Sequence, residues 1–406
     1  MPSRRAVLAT GASAGLAAVA GCLSSGHSFG TLETDPDSWR LSRFDLQNTG
    51  HNADATVPDD PEERWRVELE SPGRDVAGLV VGEDVVVVGS EEEADRSLVA
   101  LERDDGDVRW EDEDADVAAI ALGDETVYAT AEDGDVAAYD LGTGERDWEI
   151  AGESGSTSHG VWLRFDGETL YRGDDGRLTA YDTDSGDERW HRSGYGASAI
   201  DGDRLLRGNT GLTAYGSPTE SVRFDDGGPE PRWEASERGH GTFPVVWEDR
   251  ILVGARYWPL DDDSARLQAH RLDDGELEWE LEFPGAYVTS PVIVGERAIF
   301  HVGRGGWDDD PDGPSMLMAV DREGTIDWEL ETEWERPTLA AVGEMVLVGG
   351  DADDTDLVAI DPTDGERRWE RGLQGDSVQV ASVSALAPVD GELFVGTGHS
   401  HVVAYG

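Results

Sequence analysis

One phrase returns along the whole chain: a strand-like run closing on Ala and an apolar residue, a short acidic turn ending in Gly, then Trp. It stands at Leu98–Trp110 (LVALERDDGDVRW), Val136–Trp148 (VAAYDLGTGERDW), Leu178–Trp190 (LTAYDTDSGDERW), Leu267–Trp279 (LQAHRLDDGELEW), Leu317–Trp328 (LMAVDREGTIDW) and Leu357–Trp369 (LVAIDPTDGERRW). A looser copy with an insertion spans Leu212–Trp233, and the halves of one more lie at opposite ends, Glu63–Leu69 and Val402–Tyr405. Trp65, Trp110, Trp148, Trp190, Trp233, Trp279, Trp328 and Trp369 are thus spaced by 38 to 49 residues. No unit of that size buries its own faces, so the copies must pack on one another.

Each unit reads as four strands. Val, Leu, Ile and Tyr alternate in short runs, and Asp-Thr-Asp-Ser-Gly (182–186) reads as a hairpin whose Gly takes a left-handed conformation. The upstream halves, such as Pro244–Gly254, Pro291–Gly303 and Leu339–Gly349, supply two more strands each. Four-stranded units at this period predict an all-β, eight-bladed β-propeller over residues 39–406. Pairing the strand around Trp65 with that around Val403 closes the ring, and the repeated Ala and Trp are expected as small and large partners at the blade seams. The divergent copy counts as a blade rather than an insertion, because it keeps Ala214, Tyr215 and Trp233 at the spacing of its neighbours.

Composition sets the environment. Asp and Glu number 88 against 32 Lys and Arg, every basic residue is Arg, and the net charge is −56. The charge is spread over turns and strand edges rather than gathered in a tail. Self-repulsion of this size is screened in brine, where the Debye length falls to roughly 3 Å at molar salt. A halophilic surface is expected, and nucleic acid and anionic membrane are poor partners for it.

The N-terminus carries an address. Arg4 and Arg5 precede a short Ala- and Gly-rich apolar run, and Val19-Ala20-Gly21-Cys22 follows. The first element resembles a twin-arginine export signal and the last a lipobox, in which the Cys thiol is acylated. The apolar run is shorter than the roughly 20 residues a membrane span needs. Residues 1–21 are therefore read as a signal peptide and residues 22–38 as the lipidated Cys22 and its tether. The expected location is the extracytoplasmic face of the cell membrane, held there by the lipid alone. Cys22 is the only cysteine, so no disulfide, Cys metal site or catalytic thiol is expected in the propeller.

The phrase Ala-hydrophobic-Asp-x-x-(Thr/Ser/Asp)-Gly-x-x-x-Trp resembles the repeat of the pyrroloquinoline-quinone (PQQ)-type propellers. That superfamily includes quinoprotein alcohol dehydrogenases and BamB-type lipoproteins of bacterial outer-membrane assembly. Trp39–Asn52 (WRLSRFDLQNTGHN) is similar to the lead-in of many members, and the Lys-free acidity resembles that of haloarchaeal proteins. In the dehydrogenases, the resemblance implies a quinone under a ring of two adjacent cysteines, a calcium ion and an Asp base. This chain has no Cys pair, so no catalytic residue is nominated and no cofactor is expected. PQQ and calcium belong to the alternative reading.

Other signatures are weaker. Gly11-Ala12-Ser13-Ala14-Gly15 matches a hydrolase elbow inside the signal peptide. Asp308, Asp310 and Asp312 resemble the start of a calcium loop, but Ala319 stands where the bidentate Glu belongs. His399 and His401 share one strand face and are read as exposed hairpin histidines. For ligands, the place to look is the mouth of the central channel, where His159, Tyr195, His240, Tyr287, Trp334 and Gln379 each precede an expected inner strand. The expectation is a monomeric, lipid-anchored propeller acting as a binding or assembly scaffold for a cell-surface protein partner. The alternatives are a quinone-dependent dehydrogenase and a solute-binding or sensory lipoprotein using the channel mouth.

Overall fold

The computed structural model describes residues 29–406 except 70–74, 92–96, 132–133, 153–160, 174–176, 194–197, 209–211, 216–230, 236–239, 257–263, 285, 305–314, 335, 353–354, 374–381 and 399–400. Arg4, Arg5, Cys22, His159, Tyr195, Gln379, the Asp308–Asp312 motif and His399 lie outside the described residues.

Eight antiparallel sheets of four strands form the blades of a propeller, and no helix occurs among the described residues. The first blade shows the plan: inner strand Asp75–Val81, then Val85–Glu91, Ser97–Glu102 and outer strand Val108–Asp112. The divergent copy is a full blade, Ser198–Asp201, Arg204–Arg207, Leu212–Tyr215 and Pro231–Ala235. In the fifth and sixth blades the inner strand is broken in two, His240–Gly241 with Val245–Trp247, and Ala286–Val288 with Val292–Val294. Pro244 and Pro291 stand at the breaks, where a residue without an N–H cannot extend the ladder.

The repeated phrase is an interlock between neighbours. Within a blade the Ala of the third strand faces the Trp of the fourth, as in Ala100 with Trp110, Ala138 with Trp148 and Ala359 with Trp369. A small residue there leaves room for the indole on the seam side of the sheet. Across the seam, however, the partner of the ring is the hairpin Gly of the next blade. A Cβ on Gly144 would lie 2.6 Å from the Trp110 ring, on Gly275 2.3 Å from Trp233, and on Gly365 2.8 Å from Trp328. The same glycines hold φ of +72°, +73° and +75°. The indole then donates to a carbonyl of that hairpin: Trp110 Nε1 to Leu141 O at 2.8 Å, Trp148 to Thr183 O at 3.0 Å, Trp279 to Arg322 O at 2.8 Å and Trp328 to Pro362 O at 2.9 Å. Each ring thus buries a large apolar face and satisfies its only polar atom in one docking.

The ring closes by strand exchange between the ends of the fold. Glu63–Glu68 pairs with His401–Tyr405 to complete the eighth blade, with Trp65 opposite Ala404. Trp65 Nε1 donates to Arg103 O at 2.9 Å in the first blade, so the closing seam uses the same interlock. Arg103, itself buried, reaches back to Glu392 of the eighth blade at 2.6 Å. Among the described residues, Trp369 breaks the pattern. The third strand of the eighth blade ends at Tyr405-Gly406 and the fourth comes from Glu62-Glu63, so the usual hairpin is cut there and the buried Trp369 Nε1 has no partner. Ala319, the position a calcium loop would need as Glu, sits fully buried in strand Ser315–Val320 opposite Trp328.

Candidate functional site

Inner strands of a propeller face an axis where no further strand can pair with them, so their inward amides need partners. The lead-in segment provides them. From Pro36 to Thr56 the chain circles the axis at the end where the inner strands finish, and it bonds to every blade in turn. Trp39 exchanges both backbone bonds with Val81 of the first blade at 2.8 and 2.9 Å, and Leu122 N of the second donates to Arg40 O at 2.9 Å. Arg164 of the third blade donates through Nη1 to Ser42 Oγ at 3.2 Å. Ile200, Val246, Ile293 and Ala341 then donate in sequence to the carbonyls of Leu46, Gln47, Thr49 and Gly50, at 2.7 to 3.0 Å. The eighth blade is reached by Asn52 Nδ2 on Pro388 O at 3.2 Å and by Asp390 N on Pro36 O at 2.8 Å. We call this segment the clasp.

Its side chains explain its sequence. Trp39, Leu41, Phe44 and Leu46 are buried against the inner strands. Between them the backbone turns sharply, with Phe44 at φ +70°, Asn48 at +63° and Gly50 at +64°. Asn48 is completely buried: its Nδ2 donates to Pro244 O at 2.8 Å, and its Oδ1 accepts from Arg164 Nη2. Arg43 donates from Nε to Asn48 O at 3.0 Å and from Nη2 to Pro291 O. The two prolines that break inner strands therefore offer their carbonyls to clasp side chains.

The clasp is electrically two-sided. Asp45 accepts from Thr49 N at 2.9 Å and from Thr49 Oγ1, and with Gln47, Thr49 and His51 it lines an outer cleft. Burial raises the Asp45 pKa, against the pull of Thr49 and of the two guanidinium groups. On the inner side Ser42, Arg43 and Gly50 floor a channel cavity of about 380 Å³. Burial lowers Arg43 and Arg164 to about 10, so both stay charged at neutral pH. The walls are Gly78, Leu79, Ile120, Trp162, Phe243 and Leu339, with Thr289, Ser290, Thr338 and Ser384 as hydroxyls. No Asp or Glu lines it among the described residues. Among the described residues the lining offers no carboxylate to hold a hard cation, and the chain has no cysteine pair to cover a quinone.

The channel-mouth residues fare differently from one another. Trp334 is buried in the core between the sixth and seventh blades, so it is a packing residue and presents no surface to a ligand. Tyr287 lies over Gly303, with Arg336 Cζ 5.6 Å from its ring centroid and the His301 ring at 6.4 Å. His240 begins the broken inner strand of the fifth blade, opposite Arg256. His401, expected as exposed, is buried in the strand that closes the ring, because that strand is the third of its blade and not a free hairpin. Neither Tyr287 nor Trp334 is among the residues that line the cavity. The residues that floor it, Ser42 and Arg43, stood in the lead-in without being singled out.

The family model described as outer membrane protein assembly factor BamB matches residues 52–213 and 219–406. The chain belongs to the BamB family. Its match spans both halves of the ring and leaves most of the clasp outside. No curated protein sequence matches the chain. Among solved structures, the BamB-family chain is similar to the quinohemoprotein alcohol dehydrogenase ADHIIG from Pseudomonas putida HK5, at 14% identity and a TM-score of 0.62, covering 91% of this chain and 80% of that one. A europium-containing methanol dehydrogenase gives 12% identity and 0.65 over 90% and 91% of the two chains. The computationally designed Ika8 protein gives 17% and 0.65 over 85% and 99%. At these identities the likeness is one of fold.

Proposed function

We propose that this protein is exported by the twin-arginine route, acylated at Cys22, and held at the outer face of the cell membrane as a scaffold that presents blade loops to a protein partner. The observation that carries the scaffold reading is the family match over both halves of the ring. The interlocked seams and the clasp support it, since a rigid ring holds loops in fixed relation and lowers the entropy lost on binding. The acidic, Lys-free surface supports a salt-rich medium outside the cell.

Two experiments in the native host test this. In the first, the mature N-terminus is weighed and the cells fractionated: wild type carries lipid on Cys22, Cys22→Ser is released to the medium, and Arg4→Lys with Arg5→Lys stays inside. An unmodified wild-type N-terminus would overturn the anchor. In the second, a photo-crosslinker replaces exposed Asp114, in the loop into the second blade, or exposed Asp124, on the clasp side. A discrete adduct from one site and not the other supports a docked partner. Absence of any adduct at either site and across the remaining loops would overturn the scaffold reading.

A further inference from the structure

Among the described residues, no carboxylate on the cavity side balances the positive charge at the floor of the channel. Arg43 lies deep in the molecule, yet part of its surface stays accessible and the residue lines the cavity. Its Nε and Nη2 are engaged by Asn48 O and Pro291 O, while Nη1 makes no hydrogen bond among the described residues. Arg164 stands behind it, fully buried, donating to Ser42 Oγ, Leu163 O and Asn48 Oδ1, with Nε unpartnered. Asp45 is the carboxylate that acts on both arginines, and its oxygens are taken by Thr49 on the outer face of the clasp. Among the described residues, two guanidinium groups, Arg164 fully buried and Arg43 at the cavity floor, therefore share one carboxylate. A charge withdrawn from water without a full partner is costly, and an incoming anion removes that cost.

The rest of the cavity fixes the kind of anion. Its volume, about 380 Å³, falls at the small end of ligand sites. Trp162, Phe243, Leu79 and Ile120 give it an apolar body, and among the described residues the polar wall groups besides backbone are neutral. Ser384 Oγ is buried there without a partner. We propose that the clasped channel binds a small aromatic carboxylate, its acid group against Arg43 and its ring between Trp162 and Phe243. A guanidinium is suited to this because it presents parallel donors to a planar carboxylate. The site is independent of the scaffold reading, and a partner protein has no part in its test.

The measurement is calorimetric titration of the purified protein in molar sodium sulfate with benzoate and indole-3-acetate, each beside its neutral amide. The acids bind at least tenfold more tightly than benzamide and indole-3-acetamide. Arg43→Gln loses that preference. Because Arg43 also braces the clasp, a second variant, Ala119→Phe, fills the cavity wall without touching it and abolishes binding of acid and amide alike. Equal binding of acids and amides, or acid binding unchanged in both variants, would overturn the assignment. Complete displacement by chloride at millimolar concentration would also overturn it, by reducing the site to a halide pocket. Tighter binding of PQQ than of either acid would overturn it in favour of a quinone.

Discussion

At Gly144 two demands meet that sequence patterns usually keep apart. The hairpin needs φ of +72°, and the Trp110 ring of the neighbouring blade occupies the place of a side chain. Gly202 has φ of +55° with open space around it, so it isolates the first demand. Gly202→Ala should cost about 1 kcal/mol, the left-handed penalty alone. Gly144→Ala should cost about 3 kcal/mol, because overpacking against the indole adds to it. Denaturant unfolding of the two variants checks this, and equal losses would refute the interlock. The Asp that opens the hairpin in the third and seventh blades has its own signature. Arg189 holds the Asp182 carboxyl below its usual range, helped by Ser185, and Arg368 does the same for Asp361. A depressed pKa contributes stability above the unfolded value, about 4, which is lost as pH falls through the folded value. Asp361→Asn should therefore lower the melting temperature at pH 7 and make no difference near pH 2. A gap that stays constant across that range would show the ionised carboxylate to be irrelevant.

Among elements, the clasp differs from the blades because it occurs once. The Ala and the Trp were legible since eight copies repeat them, and the hairpin Gly since the six close copies carry it, yet even there the reading assigned Gly to turn geometry and missed its role as the floor beneath a neighbour's ring. Nothing in WRLSRFDLQNTGHN has a second copy to compare with, and its bonds run to strands 40 to 340 residues away in order around the axis. Sequence periodicity carries no trace of such contacts. Arg43 was invisible for the same reason: an Arg between Ser and Phe reads as surface until the channel closes over it. The clasp's strength rests on Asn48, which ties the fifth blade to Arg164 of the third. Asn48→Ala strands a buried guanidinium and a carbonyl, so unfolding free energy should fall by about 3 kcal/mol. The companion Asn48→Asp places a carboxylate against Arg164 and should recover part of the loss. If alanine is tolerated within 0.5 kcal/mol by denaturant titration (roughly the scatter of a neutral surface change), the clasp is ornament to a ring that stands without it.

For the molecule as a whole, blade number and closure were legible from Trp spacing, whereas the break of the interlock at Trp369 follows from where the eighth blade is cut. The net charge of −56 acts at this scale alone, since no single pair explains it. Screening drops the Debye length from about 10 Å at 0.1 M to about 3 Å at 1 M. The melting temperature should rise steadily over that range in sodium chloride, and a flat curve in a thermal scan would show that surface ion pairs already cancel the repulsion. The clasp also has a bearing on time. Residues 36–56 leave the ribosome before any blade, whereas the strands Val383–Val389 and Glu392–Thr397 of the eighth blade, whose hairpin anchors both ends of that segment through Asn52 and Asp390, leave it after the other seven blades. The clasp must wait for a blade whose Pro388 is made 336 residues after Asn52, so the final structure cannot assemble piecemeal behind a moving synthesis front. Fastening becomes a single late event, and whatever machinery handles this chain before then meets an unfastened circle.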